Sequence, residues 1–515
     1  MNSAPLVIER EGTRVSIRSL QRVFSFPVML SGLLVVLAVL TVRSRFDDPD
    51  MWWHLKMGEI IYVSHTIPTT DLFSYTTAHH AYVAHEWLPQ LLIYSAYKFG
   101  GYSGLMFWLC FFSSALLVAG YGLCWLYSEN AKVSFLGALT IWLFATVGFA
   151  IRPQMIGYLL LVVELLILHL GRTRNPRWFL GLPLLFAIWV NCHGSFFLGL
   201  IVAAVFLFSS FLVFQRGSLV SERWNPRHSG MLAFALSLSI GALLLNPTGV
   251  KQILYPIDTL LHQPIGLSQV DEWQPLQLGD SRGLILMGVL GCIFLLVIVQ
   301  RKELFWHELM LLGLGTWLAA SHQRMLFVFG ILAAPCLSRL LSTAWEGYNA
   351  DEDRPLPNAI FIAASVLTLF LAFPRNQILA EQVNEHSPVK AVQFMKANHL
   401  SGRMLNEYVY GGYLIWATPE LPVFVDGRSD IFEATGVLGE FAKWATLQSN
   451  PNELLDKYRI DFCLLTRQAP MSSVLPLLHG WTTVYSDDNS VVFMRSGATT
   501  TLKWRAHDAS EMQRP

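Results

Sequence analysis

Charge is what this sequence has least of. Only 14% of its 515 residues are Asp, Glu, Lys or Arg, where soluble domains carry about a quarter. Together with a hydrophobic content of 53%, that excludes an ordinary soluble protein. Charge of one sign is missing too, because 36 basic residues balance 36 acidic ones. The broad basic footprint that nucleic acid requires is therefore absent. The six cysteines are too few for a disulfide scaffold. Cys110, Cys124, Cys192, Cys292 and Cys336 lie in or beside apolar runs and only Cys463 in a polar region, so they read as small core residues. No internal repeat or low-complexity tract is found, and His79, His80 and His85 do not match His-Glu-x-x-His or another compact zinc set.

What is abundant is long apolar sequence. Runs at 26–42, 102–127, 133–150, 154–170, 195–214, 230–245, 282–300, 303–320, 325–341 and 358–374 mostly approach the ~20 residues that cross a bilayer. The first is followed by Arg43-Ser44-Arg45 rather than a small-residue cleavage site, so it is expected to stay as a span. Lys and Arg resist translocation, so Arg10, Arg14, Arg18 and Arg22 place residues 1–25 in the cytoplasm. Arg172/Arg174/Arg177, Arg216/Arg223/Arg227 and Arg301/Lys302 fall on the same inner side, while the loops with Arg152, His193, Asn246, Glu272 and Arg324 fall outside. Either the short run 87–99 dips in and returns or lies at the interface, giving roughly eleven full spans, or a boundary falls differently between 100 and 150 and there are about thirteen membrane helices over 26–374.

After Pro374 the composition changes to mixed polar and apolar segments, which predicts a folded extracytoplasmic α/β domain over 375–497 and a loose tail at 498–515. Strands are expected at 403–406, 421–425, 460–465, 481–486 and 490–495, and helices over 388–398, 431–448 and 451–458. The fold class is thus an α-helical polytopic membrane protein with a C-terminal soluble α/β domain. A bacterial inner membrane suits the uninterrupted spans.

The first outer loop, 43–86, carries the strongest chemical signal. It contains Asp47-Asp48-Pro49-Asp50-Met51-Trp52-Trp53-His54 where the chain leaves the membrane. On a helix starting at Pro49, Asp50 and His54 share a face and could meet one substrate or ion, while Trp52 and Trp53 would anchor the segment at the interface. The alternative is that the aspartates cap that helix in water. Clustered carboxylates suit Mg²⁺ or Mn²⁺ better than zinc, so Asp48 and Asp50 are the candidate metal ligands. The loop ends at Ala84-His85-Glu86-Trp87-Leu88, where the next apolar run opens.

An acidic residue just after the first span, a loop with a Pro-Asp-like turn and a short motif opening the second helix resemble the GT-C superfamily of polyprenyl-dependent membrane glycosyltransferases. In style the chain is similar to the protein mannosyltransferases, the lipid A aminoarabinose transferases and uncharacterised bacterial relatives. The resemblance covers mainly 26–200. It implies that Asp50, with Asp48 in support, serves as catalytic base or organises a metal. Asp50-Met51 replaces the mannosyltransferase-type Asp-Glu pair, and no Trp-Trp-Asp-Tyr-Gly motif is present, which argues against asparagine-sequon glycosylation.

Other outer-face groups complete the candidate set. Arg152-Pro153-Gln154 and Ser321-His322-Gln323-Arg324 interrupt apolar sequence, so Arg152 and Arg324 either grip a lipid phosphate or snorkel. His193, in Asn191-Cys192-His193-Gly194-Ser195, is a donor to a sugar or phosphate or else an interhelical contact. Glu272 and Trp273 offer a carboxylate beside a stacking surface, or a solvated loop. Tyr410-Gly411-Gly412-Tyr413 and Val425-Asp426-Gly427-Arg428-Ser429-Asp430 lie at segment ends, where Asp426 and Arg428 contact an acceptor or lock a turn. With His54, His85 and Glu86 shaping the pocket, the sequence points to transfer of a sugar from a polyprenyl-phosphate donor to a lipid, glycan or protein acceptor. The rival readings are a transporter or flippase, or a non-catalytic assembly component, for lipid-linked saccharides.

Overall fold

The computed structural model describes residues 22–262 and 271–497. The tail 498–515 and most of the segment 1–25 lie outside the described residues. The chain divides into two compact units, one drawn from Met1–Arg45, Met106–Gly249 and Val270–Pro374, the other from Phe46–Leu105, Val250–Gln269 and Arg375–Pro515.

The first unit is a helical bundle in which each apolar run forms a helix: Phe26–Val42, Ala131–Ala145, Gln154–Thr173, Phe196–Ser209, Pro226–Ala242, Ser281–Val299, Trp306–Ser321, Leu326–Leu341 and Pro355–Ala372. Among the described residues, six helices are long and apolar enough to cross a membrane, and Phe26–Val42, Pro176–Trp189 and Phe196–Ser209 are shorter apolar helices. Burial separates their roles. The segment ending at Leu341 is 78% buried, whereas Ser281–Val299 and Pro355–Ala372 are 22% and 11% buried. Leu326–Leu341 therefore forms the bundle's centre, packed on Ala131–Ala145 and Trp306–Ser321, and the other two present apolar surface outward, as lipid requires. Close packing without water needs small residues at the seam, and Gly330 brings the central helix onto Phe144, whose ring meets Phe329 edge-on at 5.0 Å.

A minimal sheet closes one end of the bundle. Strand β1 (Phe214–Arg216) pairs antiparallel with β2 (Leu219–Ser221), which pairs parallel with β3 (Leu304–Phe305). Beside it Arg339 makes a two-pronged ion pair with Glu308, with Nε to Oε1 at 2.6 Å and Nη2 to Oε2 at 2.5 Å, and Arg172 lies 2.9 Å from His307 Nε2.

The second unit holds a four-stranded sheet of order β4-β5-β7-β6, from Met404–Asn406, Phe462–Thr466, Ser490–Arg495 and Trp481–Ser486. Strands β4 and β5 are parallel and the others antiparallel, with Met404 opposite Phe462 and Phe462 opposite Met494. Helices Val389–Ala397 and Pro451–Lys457 form where the pattern places them, while 431–448 is divided into Ser429–Ala434 and Val437–Ala445 by Gly436 at φ 80°. The expected strand at 421–425 does not form. Val423, Phe424 and Val425 are fully buried, but Val423 donates to the Phe73 carbonyl and Phe424 to the Asn406 side chain. The segment's hydrogen bonds thus go to the first loop and to an amide, not to the sheet.

The first loop contributes helix Met51–Ser64 to this unit, starting two residues later than Pro49. Trp52 and Trp53 are buried, at 2% and 6% exposure, instead of lying at an interface. Trp52 sits edge-on to Tyr413 at 5.2 Å, one of the geometries aromatic pairs prefer when buried together. The 87–99 run begins a helix, Trp87–Ser128, that is broken at Gly101. Its φ of 56° and ψ of −140° belong to a region open only to glycine. All six cysteines are free, and only Cys292 is exposed; Cys463 is buried on β5.

Candidate functional site

In the helical unit the structure gathers residues from separate breaks in the apolar sequence. Arg152 and Arg324 converge on one carboxylate: their Nη1 atoms lie 3.7 and 3.5 Å from Glu272 Oε2. Arg324 Nη2 also donates to Gln154 Oε1 at 2.5 Å, and Gln154 Nε2 donates to the Gly148 carbonyl at 2.9 Å. The Arg324 guanidinium lies over the Trp273 ring at 5.4 Å, and Trp273 meets His322 edge-on at 5.3 Å. Backbone bonds from Gln323 to Gln274 and from Leu276 to Ala320 hold the Glu272 loop against this corner. Two guanidiniums and a carboxylate are thus gathered where the apolar sequence of the bundle is interrupted.

His193 approaches the same helix one turn further on. A Cβ on Gly157 would stand 2.6 Å from Ser195 Oγ and 3.3 Å from His193 Nδ1, so only glycine permits this contact. The Ser195 N–H donates to His193 Nδ1 at 3.1 Å, which in the neutral ring places the proton on Nε2. Five of the residues singled out in the sequence, Arg152, His193, Glu272, Trp273 and Arg324, therefore stand on or beside the start of one helix, Gln154–Thr173. Gln154 is a member that the sequence named only as part of a break.

In the second unit the Asp50 segment meets both glycine-bearing segments, the start of helix Gly411–Ala417 and the turn at Gly427. Asp50 is the first-turn boundary of helix Met51–Ser64, yet its side chain caps no helical N–H; its Oδ1 accepts from Trp53 Nε1 at 3.3 Å, and Asp48 Oδ1 accepts the Asp50 N–H at 3.0 Å. A Cβ on Gly427 would overlap Asp50 Oδ1, and one on Gly412 would overlap the Pro49 carbonyl. The absence of side chains at these two positions is what lets the turns close around Asp50. His54 is buried and turned elsewhere, with Nδ1 3.2 Å from Gln90 Nε2 and 3.9 Å from Glu86 Oε2. His85 lies 3.7 Å from Glu86 and stacks on Tyr255 at 3.9 Å.

Asp426 and Arg428 are buried inside this turn as a lock. Arg428 Nε and Nη2 reach Asp426 at 2.8 and 2.6 Å, and Nη1 reaches Asp71 Oδ1 at 2.7 Å, a partner 357 positions away. Asp71 also takes hydrogen bonds from Ser74 Oγ, Thr77 Oγ1 and the Phe73 N–H. Burial pushes the Asp71 carboxyl up, but the Arg428 guanidinium and these donors outweigh it and hold Asp71 below the usual carboxylate range. Burial would lower Arg428, and Asp426 and Asp71 together raise it. Beside the lock, burial raises Asp430, which accepts from the Tyr255 hydroxyl at 3.1 Å. Neither Asp71 nor Tyr255 is legible in this role from sequence, because nothing in a linear pattern pairs residues hundreds of positions apart.

No group of three or more His, Cys, Asp or Glu side chains able to hold a metal stands together among the described residues. Asp48 and Asp50 are a two-carboxylate pair, the number a magnesium ion takes when water and phosphate oxygens complete its shell.

These features define a class: a multi-pass helical membrane protein with a cationic corner in its bundle and a carboxylate-bearing loop folded together with a small sheet. No protein-family model and no curated protein sequence matches the chain. Among solved structures, the oligosaccharyltransferase of Archaeoglobus fulgidus tethered with an acceptor peptide matches 92% of this chain and 75% of its own, with a TM-score of 0.55 at 11% identity. Archaeal oligosaccharyltransferase AglB from the same organism, in complex with an inhibitory peptide and a dolichol-phosphate, gives 0.53 at 11% identity over 90% and 74%. ArnT from Cupriavidus metallidurans, bound to undecaprenyl phosphate, gives 0.48 at 12% over 90% and 97%. The chain thus shares the fold of these archaeal oligosaccharyltransferases.

Proposed function

We propose that this chain is a membrane glycosyltransferase that moves a sugar from a polyprenyl-phosphate-linked donor to a lipid, glycan or protein acceptor on the extracytoplasmic face. The observation that carries the reading is the convergence of Arg152 and Arg324 on Glu272 beside Trp273. The planar N–H forks of two guanidiniums gathered at one place suit the oxygens of a phosphate.

In the reaction the acceptor hydroxyl loses its proton to Asp50, and its oxygen forms a bond to the anomeric carbon. The bond from that carbon to the phosphate oxygen breaks, and polyprenyl phosphate leaves with the electron pair. In the second unit Trp53 orients the Asp50 carboxylate, the proposed base; in the helical unit Arg152, Arg324 and His193 are the proposed groups for the donor phosphate. A divalent ion, where one is used, would be held by Asp48 and Asp50 and would add positive charge against the donor phosphate. His54, His85 and Glu86 shape the surroundings of Asp50, with the N-terminus cytoplasmic and a bacterial inner membrane as the setting.

The test is release of lipid phosphate from a panel of sugar-charged polyprenyl phosphates by purified protein in lipid, with and without Mg²⁺ or Mn²⁺. Wild type should release it, and Asp50→Asn should lose at least about a hundredfold in rate. Release that is unchanged in Asp50→Asn would overturn the assignment of the base. Movement of saccharide-lipid across the bilayer with no release would make the protein a transporter.

A further inference from the structure

We infer that the bundle end opposite the arginine corner carries a binding site for an anionic phospholipid of the surrounding membrane. Helix Gln154–Thr173 has Gln154 at the arginine corner, and its other end leads through Asn175 into Pro176–Leu180 and then Gly181–Trp189. Between these elements lies a crevice of about 370 Å³ lined by Ile167, Asn175, Arg177, Trp178 and Gly181. Its composition matches the parts of a phospholipid in order.

At the rim, Arg174 and Arg177 are exposed, and His228 donates to the Arg172 carbonyl at 3.1 Å, which brings the exposed Arg227 to the same rim. Arg172 itself is occupied by His307 and by the faces of Trp224 and Phe305. The cations at the rim suit a phosphodiester that carries one negative charge. Trp178 is 50% exposed beside them, the place where an indole sits between headgroup and chain. Below it, Leu180, Leu184 and Ile188 are exposed by 46%, 68% and 42% at a spacing of four. Leu184 and Ile188 share one face of helix Gly181–Trp189, Leu180 stands just before its start, and Gly181, which lines the crevice, joins this apolar row to it as a track for an acyl chain. An apolar floor with an arginine mouth is costly in contact with water alone and is satisfied by a lipid.

The occupant is a membrane glycerophospholipid, distinct from the polyprenyl donor assigned to the other end. Purified full-length protein would be mixed with phosphatidylglycerol or phosphatidylcholine of identical chains and examined by native mass spectrometry. Wild type should retain at least one phosphatidylglycerol in preference to phosphatidylcholine, and the preference should fall about fivefold for each of Arg174→Gln and Arg177→Gln. Trp178→Ala should weaken retention of both lipids while the melting temperature stays unchanged. Equal retention of the two lipids by wild type, or an unchanged preference in the double arginine variant, would overturn the proposal. Displacement of phosphatidylglycerol by equimolar undecaprenyl phosphate would also overturn it, since the crevice would then belong to the donor lipid. Sugar transfer is read separately, so loss of the lipid preference with activity intact distinguishes failure here from failure of the proposed function.

Discussion

Removing the Arg428 guanidinium should expose how much of the second unit depends on one buried cation. In Arg428→Met the stem is kept, but Asp71 and Asp426, both 0% exposed in their side chains, lose the partner they share. Breaking a buried pair costs about 3–5 kcal/mol because a charge is left without compensation. For a unit of this size that corresponds to a melting temperature lowered by roughly 10 °C. The donors from Ser74, Thr77 and the Phe73 N–H remain on Asp71, so the lower half of the range is expected there. Asp71→Asn placed in the Arg428→Met background should restore part of the loss, since the carboxylate that needed the cation is gone. The pH dependence gives an independent sign. In the wild type Asp71 lies below its ordinary value of 3.8, so its contribution is complete above that value and is lost as pH falls through the lower folded value. In Arg428→Met the burial that opposes ionisation has no cation against it, so acidification toward pH 4 should recover stability relative to neutral pH. Thermal unfolding of both proteins from pH 7 to pH 4 is the assay. A neutral-pH shift below about 2 °C, or a deficit of the variant relative to wild type that does not shrink toward pH 4, would refute the view that this triad is a dry lock.

Gly427→Ala should push the Asp50 carboxylate aside, because the added carbon would overlap Oδ1; kcat for transfer is expected to fall at least about tenfold with the donor KM unchanged, and equal kcat would refute the closeness of the turn. Trp273→Ala removes the face beneath Arg324, and a cation–π contact of about 1 kcal/mol predicts a donor KM raised roughly fivefold in steady-state kinetics; an unchanged KM would remove Trp273 from the donor site. Glu164 is fully buried with neither carboxyl oxygen hydrogen-bonded, so Glu164→Met, which keeps the length and removes the orphaned atoms, should stabilise the bundle by about 1–3 kcal/mol, read as a rise in melting temperature in detergent. A fall in that temperature would mean that the carboxyl is needed.

The helical unit was legible in the sequence because lipid imposes a simple rule: a chain that crosses it must be continuously apolar and internally hydrogen-bonded. The same rule made Arg152 and Arg324 visible, since a guanidinium that interrupts such a run needs an explanation, and the explanation turned out to include a shared Glu272. In the second unit the rule weakens. Apolar sequence at 421–425 was read as a strand because burial is all that composition reports; it says nothing of whether the backbone bonds go to a ladder or, as here, to Phe73 and the Asn406 amide. The burial of Trp52 and Trp53 is hidden for a related reason, as an aromatic pair at a membrane exit suits an interface and a closed core equally well.

The lock adds the part that no local pattern holds. Asp426 and Arg428 are two residues apart, close enough to suggest a turn, and a turn locked only by that pair would gain little. Asp71 changes its weight, because the third group comes from the first loop and joins the same buried guanidinium at 2.7 Å. That contact joins the Val423–Phe73 backbone bond in tying the loop carrying Asp50 to the segment carrying Gly427, and Gly427 in turn abuts the Asp50 carboxylate. The position of the candidate base therefore depends on long-range contacts as well as on its own helix, so substitutions at Asp71 should reach Asp50 through geometry without touching any substrate.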